Sequence, residues 1–279
     1  MRVRLWGTRG SLAAPGPETA RYGGNTVSVE VWSDDGDVLV LDAGTGIRRL
    51  GAALLLEKPR RVDVLITHLH MDHIQGLGFF APLYVPGLEV HLWGPASATK
   101  SLRQRFGRYM SPPLFPVRLR DLPCNLTVHE VCSEAFSVRS FQVEAGLVCH
   151  PGPTVGYRVS AWRARLAYLP DHEPALGLRG ALLAGAWTSG YELSAGVDLL
   201  IHDAQFTDLE YETRIGWGHS TLRRAVEFAA LAAARRLVFF HHDPSHDDAM
   251  LEAMSADAVG APMPTLLGAE GATFELDER

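Results

Sequence analysis

Short apolar runs that end in histidine or aspartate recur along this chain. The run Val62–Ile66 is rich in β-branched residues and is bounded by polar ones, so it predicts a buried strand. Similar runs predict strands over Val3–Trp6, Val27–Trp32, Val38–Leu41, Leu88–Trp93, Leu166–Leu169, Asp198–Ala204 and Leu237–Phe240. Because open α/β folds place their chemistry at the carboxyl ends of strands, the polar residues after these runs are the first candidates for a functional site.

Apolar residues spaced three and four apart predict helices between several of the strands. We expect helices over 47–57 and 97–109, a short helix starting over 74–80, and a long amphipathic helix opened by residues 218–221. Ser220 or Thr221 would cap that last helix. Its predicted buried stripe is Leu222, Val226, Ala229 and Ala233. Residues 111–147 are the least readable, a proline-rich loop followed by short strands.

The composition is typical of a soluble globular protein, with 47% hydrophobic and 21% charged residues in a chain of 279. This length suits one large layered domain, so we expect residues 1–279 to form a single domain. A net charge of −6 argues against a general nucleic-acid-binding surface, although it leaves a local basic groove open. No apolar run reaches membrane-spanning length, and no signal-peptide core follows Met1. We therefore expect no contact with a membrane.

The three cysteines, Cys124, Cys132 and Cys149, lack the spacing of a metal site. Reduced thiols are the simplest interpretation, and they predict a cytoplasmic protein.

Two features leave alternatives open. The most basic stretch of the chain has five arginines, for which a solvated helix face is favoured over a phosphate-contacting surface. These are Arg103, Arg105, Arg108, Arg118 and Arg120. The glycine-rich turn over 42–46 either binds a phosphate or allows a strand to pack tightly against a helix.

The strongest chemical signal follows the strand Val62–Ile66. His68, His70, Asp72 and His73 place three imidazoles and a carboxylate within six residues. Such groups are costly to bury without partners, whereas histidine and aspartate are common zinc ligands. The spacing lets His68 and His70 face one metal while Asp72 and His73 face a second. Histidine or aspartate also ends or follows later strand-like segments, at His150, Asp171 and His241.

In these blocks the chain resembles the metallo-β-lactamase superfamily, and within it the branch of ribonuclease Z and the cyclic phosphodiesterases. The motif His68-x-His70-x-Asp72-His73 carries the superfamily resemblance, which spans about residues 7–242. The resemblance to the branch is carried by residues 71–77, His150 with Gly156-Tyr157-Arg158, Asp171, residues 198–204 and Gly218-His219-Ser220-Thr221.

This resemblance implies an α+β fold, a four-layer αββα sandwich with two divalent metal ions at the sheet edges. Zinc is the first expectation, with manganese or iron as alternatives. His68, His70 and His150 would hold one metal, and Asp171 would bridge the two. The ligands of the other metal would be Asp72, His73 and His241. His241 is favoured over His242 by its register after the last strand, which leaves His242 to support a ligand or face the substrate.

A dinuclear metal-dependent hydrolase is the predicted activity, most simply a phosphodiesterase acting on a small or nucleotide-like substrate, cyclic ones included. Two metals can bind the attacking and leaving oxygens of an in-line displacement and supply a bridging hydroxide. Asp72 and Asp171 would orient that hydroxide. The resemblance implies that His219 donates the proton to the leaving group; the alternative is a histidine that caps its own helix. Asp203 is expected to orient a ligand histidine.

The chain also departs from ribonuclease Z. It has no long glycine- and proline-rich insertion resembling the arm that grips transfer RNA, and His242-Asp243-Pro244 replaces the expected serine and arginine. With the acidic net charge, both departures predict that long structured RNA is not the substrate. A homodimer is expected from the resemblance alone. The alternatives left open are a lactonase or amide hydrolase of the same superfamily and a non-catalytic metal-binding protein of cofactor assembly.

Overall fold

Two mixed β-sheets of seven strands each form the centre of the part of the chain that the computed structural model describes, residues 1–174 and 187–276. The strands are β1 (Arg2–Gly7), β2 (Ser28–Trp32), β3 (Val38–Leu41), β4 (Arg61–Leu65), β5 (Glu89–Pro95), β6 (Asn125–Val131), β7 (Glu134–Val138), β8 (Phe141–Leu147), β9 (Val155–Ala161), β10 (Ala164–Leu169), β11 (Leu199–Asp203), β12 (Leu237–Phe240), β13 (Thr265–Leu267) and β14 (Thr273–Glu275). The first sheet has the order β14-β1-β2-β3-β4-β5-β6, and the second has β13-β12-β11-β10-β9-β8-β7.

Helices cover the outer face of each sheet. They are α1 (Ile47–Leu56), α2 (Met71–Ile74), α3 (Leu102–Tyr109), α4 (Tyr191–Ser194), α5 (Asp208–Tyr211), α6 (Leu222–Leu231) and α7 (Asp248–Met254). Buried side chains of α1 and α3 pack on the first sheet, and those of α4, α6 and α7 pack on the second. A third apolar cluster fills the space between the sheets. The predicted αββα sandwich is confirmed.

Strand β3 shows why the sequence folds into these layers. Its four residues alternate between the two faces of the first sheet, yet all four are buried. Leu39 and Leu41 belong to the cluster between the sheets, and Val38 and Val40 belong to the cluster under the helices. A strand covered on both faces needs an unbroken apolar run, and this is the pattern from which the strand is predicted.

The predicted stripe of helix α6 is wrong in two places. Ala225 and Phe228 are buried together with Leu222 and Ala229. Val226 is only half-buried, and Ala233 is exposed because the helix has already ended at Leu231. The large ring of Phe228 packs against the sheet and turns the helix toward that face. At its start Thr221, not Ser220, is the N-cap, and its hydroxyl accepts from the backbone N–H of Arg224.

Two other predicted elements are shifted. The helix expected over 97–109 begins only at Leu102, where Ser101 and Gln104 form a capping box. The helix expected to start at Ile74 instead ends there, and a short 3-10 turn follows over Leu77–Phe79. Residues 111–147 contain β6, β7 and β8, of which β6 and β8 each have seven residues.

The parallel strands bring distant loops to one edge of the sandwich. Neighbours β3, β4 and β5 are parallel in the first sheet, and β10, β11 and β12 are parallel in the second. Tyr157 on β9 donates its hydroxyl to the carbonyl of Ile66 (2.8 Å), which ties the second sheet to the loop after β4. Among the helices of the described ranges, none combines the length and the apolar character that crossing a lipid bilayer requires.

Candidate metal centre

The loop after β4 is shaped by one buried carboxylate, that of Asp42 at the end of β3. Asp42 accepts hydrogen bonds from the backbone and side chain of Thr67, from the Tyr168 hydroxyl (3.0 Å) and from His73 Nδ1 (2.9 Å). Because the His73 ring gives its Nδ1 proton to Asp42, its Nε2 is left as the free nitrogen. The turn that begins with Asp42 thereby orients a histidine of the motif.

The first group of donors contains His68, His70, His150 and Asp171, whose donor atoms all lie within 4.8 Å of one another. His150 Nδ1 donates to the carbonyl of Gly218 (2.9 Å), which leaves its Nε2 as an acceptor. That Nε2 lies 3.2 Å from His70 Nδ1. Two ring nitrogens so close repel each other through their lone pairs unless a proton or a cation lies between them.

The second group contains Asp72, His73, Asp171 and His241, again within 4.8 Å. His241 Nδ1 donates to the side-chain oxygen of Gln205 (3.0 Å), and its Nε2 lies 3.0 Å from Asp72 Oδ2. His73 Nε2 lies 2.9 Å from Asp171 Oδ2. Asp171 therefore belongs to both groups, in the place where a bridging carboxylate would stand.

These donor sets fit divalent metal ions. His68 Nε2 is buried without a hydrogen-bond partner in the described part of the chain, and His73 Nε2 and Asp171 Oδ2 face each other at 2.9 Å without the alignment of a good hydrogen bond. Buried polar atoms without partners are costly, and a cation would satisfy all three. Imidazole nitrogens with carboxylate oxygens suit zinc and also manganese or iron, so each group can hold one ion.

Burial and neighbouring charge act differently on two histidines of the motif. Burial lowers the pKa of His68 well below its usual value, and the neighbouring His73 charge lowers it further. Burial also opposes the charged form of His73, but the carboxylates of Asp171, Asp72 and Asp42 outweigh it and raise the pKa of His73. The carboxylates thus concentrate negative charge at one point, where a cation would replace the proton.

His219 lies beside these groups and is held by Asp203. Asp203 Oδ2 is 2.6 Å from His219 Nδ1, and Asp203 Oδ1 accepts from the backbone N–H of Ser220 (2.9 Å). Burial disfavours the imidazolium, but the Asp203 carboxylate outweighs it and raises the pKa of His219 to about 9. His219 Nδ1 is 4.0 Å from Asp171 Oδ1. A protonated imidazole at this position can donate a proton toward the donor groups.

Two predicted roles change here. The alternative that His219 caps its own helix is wrong, because Thr221 is the cap of α6. Asp203 contacts His219 rather than one of the seven predicted ligand histidines and aspartates. Asp203, His219 and His241 form a third set of close donors, which could also hold a cation.

The structure brings His241, and not His242, to the donor groups. His242 is fully buried, and its Nε2 donates to the carbonyl of Gly268 (2.9 Å). Burial lowers the pKa of His242 to about 3. His242 therefore does not face a substrate, because its ring points into the protein.

Several supporting residues do not follow from the sequence pattern. Glu173 is fully buried and accepts from the Tyr211 hydroxyl (2.7 Å) and from the backbone N–H groups of Gly216 (3.0 Å) and Gly218 (2.8 Å). It thereby fixes the loop that carries His219. The only sequence signal is its position two residues after Asp171 in a loop at a strand end.

The glycine-rich turn after β3 is better explained by packing than by phosphate binding. A Cβ on Gly44 would lie 2.4 Å from the backbone oxygen of Asp72, and one on Gly46 would lie 2.5 Å from that of Trp6. Both contacts are shorter than any side chain permits. Gly44 lets this turn lie directly against the metal-motif loop, and Gly46 lets it lie against β1.

We predict that Gly10→Ala displaces His241 and lowers the metal content. A Cβ at Gly10 would lie 2.2 Å from two ring atoms of His241, so the ring must leave the position in which its Nε2 lies 3.0 Å from Asp72. The measurement is bound metal per chain after gel filtration.

Gly107→Ala is the matched control, because it meets nothing within 4 Å in the interior of α3. It should keep its metals and gain up to about 1 kcal/mol of stability. Full metal occupancy in Gly10→Ala would contradict this prediction, because it would show that His241 still binds its metal with a methyl group at position 10.

Comparisons with known proteins agree with this geometry. Residues 38–242 match the family model of the beta-lactamase superfamily domain, so the chain belongs to that family. Within it, the chain falls in the ribonuclease Z-like branch and is a metal-dependent hydrolase, as predicted. The ribonuclease Z of Gemmatimonas aurantiaca is 28% identical over 285 aligned residues, which cover 86% of this chain and 84% of that protein.

Solved structures share the fold over nearly the whole chain. The metallo-β-lactamase fold protein YhfI from Bacillus subtilis has a TM-score of 0.70 at 16% identity, covering 98% of this chain and 99% of its own. A diphosphatase of the PhnP family has a TM-score of 0.69 at 20% identity, with coverages of 99% and 98%. At these identities the likeness establishes the shared sandwich and not a shared substrate.

Proposed function

We propose that this protein is a phosphodiesterase that cleaves a small or nucleotide-like phosphodiester with two divalent metal ions, zinc foremost. The observation that carries the proposal is the sharing of Asp171 between two donor groups, with the His219–Asp203 pair directly beside them. The name of the relative from G. aurantiaca, a ribonuclease, supports a phosphodiester as the scissile group.

In this proposal His68, His70 and His150 hold one metal. Asp72, His73 and His241 hold the second, and Asp171 contacts both. Bound divalent ions would polarise a phosphoryl oxygen and lower the pKa of water toward neutrality. The histidines would offer their free nitrogens to the metals, because their other ring nitrogens are already bonded, as for His73 to Asp42 and His241 to Gln205.

The chain's own side chains position the water and move the proton. Asp72 is fixed by the backbone N–H of Ser11 (2.7 Å), and with Asp171 it would orient the attacking water by accepting a hydrogen bond. His219 would donate its proton to the departing alkoxide. Asp203 stabilises the protonated ring before the transfer and holds Nδ1, so that Nε2 is the donating atom.

RNA is the second candidate substrate, because the curated relatives are ribonucleases. We retain the prediction that long structured RNA is not the substrate. It rests on the net charge of −6 and on the missing arm and the His242-Asp243-Pro244 block. The homodimer likewise stays a prediction. The substrate comparison described next also decides among the lactonase, amide hydrolase and non-catalytic alternatives.

We expect metal-loaded protein to hydrolyse bis(p-nitrophenyl) phosphate, and to leave a lactone, a β-lactam and a structured precursor RNA uncleaved. The assay compares initial rates on the four substrates at equal protein concentration and known metal content. Faster lactone or lactam cleavage would replace the proposed reaction class. Specific cleavage of the precursor RNA would favour a ribonuclease, and no cleavage of any substrate would favour the metal-binding accessory role.

A further inference from the structure

A cavity of about 460 Å³ lies beside the metal-motif loop. Leu69 and Met71, the two neighbours of His70, line one side together with Ile74. The other side is formed by α3 and the segments next to it, with Lys100, Gln104, Arg105, Arg108, Tyr109 and Leu114. This volume is within the range of small-molecule sites. A ligand in the cavity would therefore border the loop that carries His68, His70, Asp72 and His73.

The cavity has apolar surface that a flat ring could cover. The Tyr109 hydroxyl donates to the carbonyl of Gln75 (2.6 Å), which fixes the ring. The Ile74 side chain is buried, whereas Met71 and Leu114 leave 51% and 65% of their surface exposed. Exposed apolar side chains next to a fixed aromatic ring favour a planar ligand such as a nucleobase.

The charged residues of the lining are all positive. Lys100, Arg105 and Arg108 line the cavity, and none of the described carboxylates does. Arg105 is occupied, because it donates to the carbonyl of Pro95 and lies 4.0 Å from Glu130. For Lys100 and Arg108, which are exposed, no ion pair occurs within residues 1–174 and 187–276. In a chain of net charge −6, this is a local anion-attracting surface.

We infer that this cavity binds one nucleoside of the substrate, with its base against Tyr109, Met71 and Leu114. Arg108 and Lys100 would then contact a second phosphate, adjacent to the one that is cleaved. The inference rests on the proposed function and names its substrate class: a nucleotide or short oligonucleotide carrying a phosphate next to the scissile ester. Of the three arginines of the basic stretch that lie on α3, Arg105 and Arg108 line the cavity, and Arg103 is not one of its lining residues.

The first test is binding, measured by calorimetry on metal-loaded protein without turnover. The probes are thymidine 3′,5′-bisphosphate and thymidine 5′-phosphate, which differ only in the second phosphate. We expect the second phosphate to tighten binding about fivefold to tenfold in the wild type, the effect of one or two partly exposed charge pairs. Arg108→Gln should reduce this advantage to below about twofold, and Lys100→Gln/Arg108→Gln should abolish it.

Arg103→Gln is the matched control, since it removes the same charge from the same helix outside the cavity. It should keep the full advantage. An equal loss in Arg103→Gln and Arg108→Gln would reduce the effect to general electrostatics and overturn the inference. So would equal binding of the two thymidine nucleotides to the wild type.

The base is tested with 2-deoxyribose 5-phosphate, which lacks it. Thymidine 5′-phosphate should bind more tightly to the wild type, and Leu114→Asp should remove the difference. If the difference is absent from the wild type, or persists in Leu114→Asp, the base does not lie in this cavity.

Kinetics separate this inference from the proposed function. Bis(p-nitrophenyl) phosphate has no second phosphate, so its cleavage by the wild-type protein tests the proposed function without the proposed contact to Arg108. If this ester is cleaved but the bisphosphate advantage does not depend on Arg108, the inference fails and the proposed function stands. If the advantage depends on Arg108 but no phosphodiester is cleaved, the cavity is a nucleotide site and the proposed function fails.

Discussion

Replacing Asp171 by asparagine is expected to remove metal from both donor groups and to lower phosphodiester turnover by more than about 100-fold. Loss of a residue that only supports a metal ligand lowers activity by about 10- to 100-fold, and loss of a shared ligand should lower it further. Asp171 is 2% exposed, and its two oxygens lie near His73, His68, His150 and His241. Asparagine keeps the size of the side chain but offers one neutral oxygen and an NH₂ group, which cannot ligate. Metal analysis and bis(p-nitrophenyl) phosphate rates on the same sample measure the effect.

Asp63→Asn is the matched control for this substitution. Asp63 is an equally buried aspartate on β4, but it pairs with Arg61 (2.7 Å) and lies outside the three donor groups. We expect this variant to lose stability and to keep its metals and its rate per folded molecule. Two metals per chain in Asp171→Asn would show that Asp171 is not shared between them.

Replacing His219 by alanine is expected to lower turnover about 10²- to 10⁴-fold, the usual contribution of a positioned general acid, while metal content stays unchanged. The loss should depend on the leaving group. A phenolate such as p-nitrophenolate departs readily without a proton, whereas an alkoxide needs one. The ratio of wild-type to variant rates should therefore be larger for an alkyl ester than for bis(p-nitrophenyl) phosphate.

His129→Ala serves as the control, because His129 is a half-buried histidine that contacts His91 (2.8 Å) and stacks on Trp93. For His129→Ala, the ratio of wild-type to variant rates should be the same for the alkyl ester and for bis(p-nitrophenyl) phosphate. Loss of a metal from His219→Ala would assign His219 as a ligand, in keeping with the set it forms with Asp203 and His241. In that case the proton comes from another group.

The loop after β4 could be predicted from the sequence because its chemistry is local. His68, His70, Asp72 and His73 follow one apolar run, whose β-branched residues and polar boundaries predict a buried strand. The structure shows that this strand is buried on both faces. The remaining donors are distant in the chain, and only the resemblance to a family joined them. Parallel strands then bring them to one edge, as β10 does for Asp171 and β12 does for His241.

The supporting contacts could not be predicted, because they depend on backbone positions that no pattern encodes. Glu173 accepts from N–H groups 43 and 45 residues further along the chain. Gln205 orients His241 from 36 residues away. The prediction of the buried stripe of α6 was wrong for a related reason. The apolar periodicity is compatible with burial of more than one face of this helix, and the packing of Phe228 against the sheet decides which face is buried.

The central claim is that two metal ions held by the groups that share Asp171 carry out phosphodiester hydrolysis. Its most direct test is a zinc titration of metal-free protein, with bound zinc and bis(p-nitrophenyl) phosphate turnover measured at every point. We predict that turnover rises to a plateau at two zinc ions per chain and that His68→Ala does not reach it. A plateau at one ion, or no turnover with two ions bound, would contradict the two-metal account.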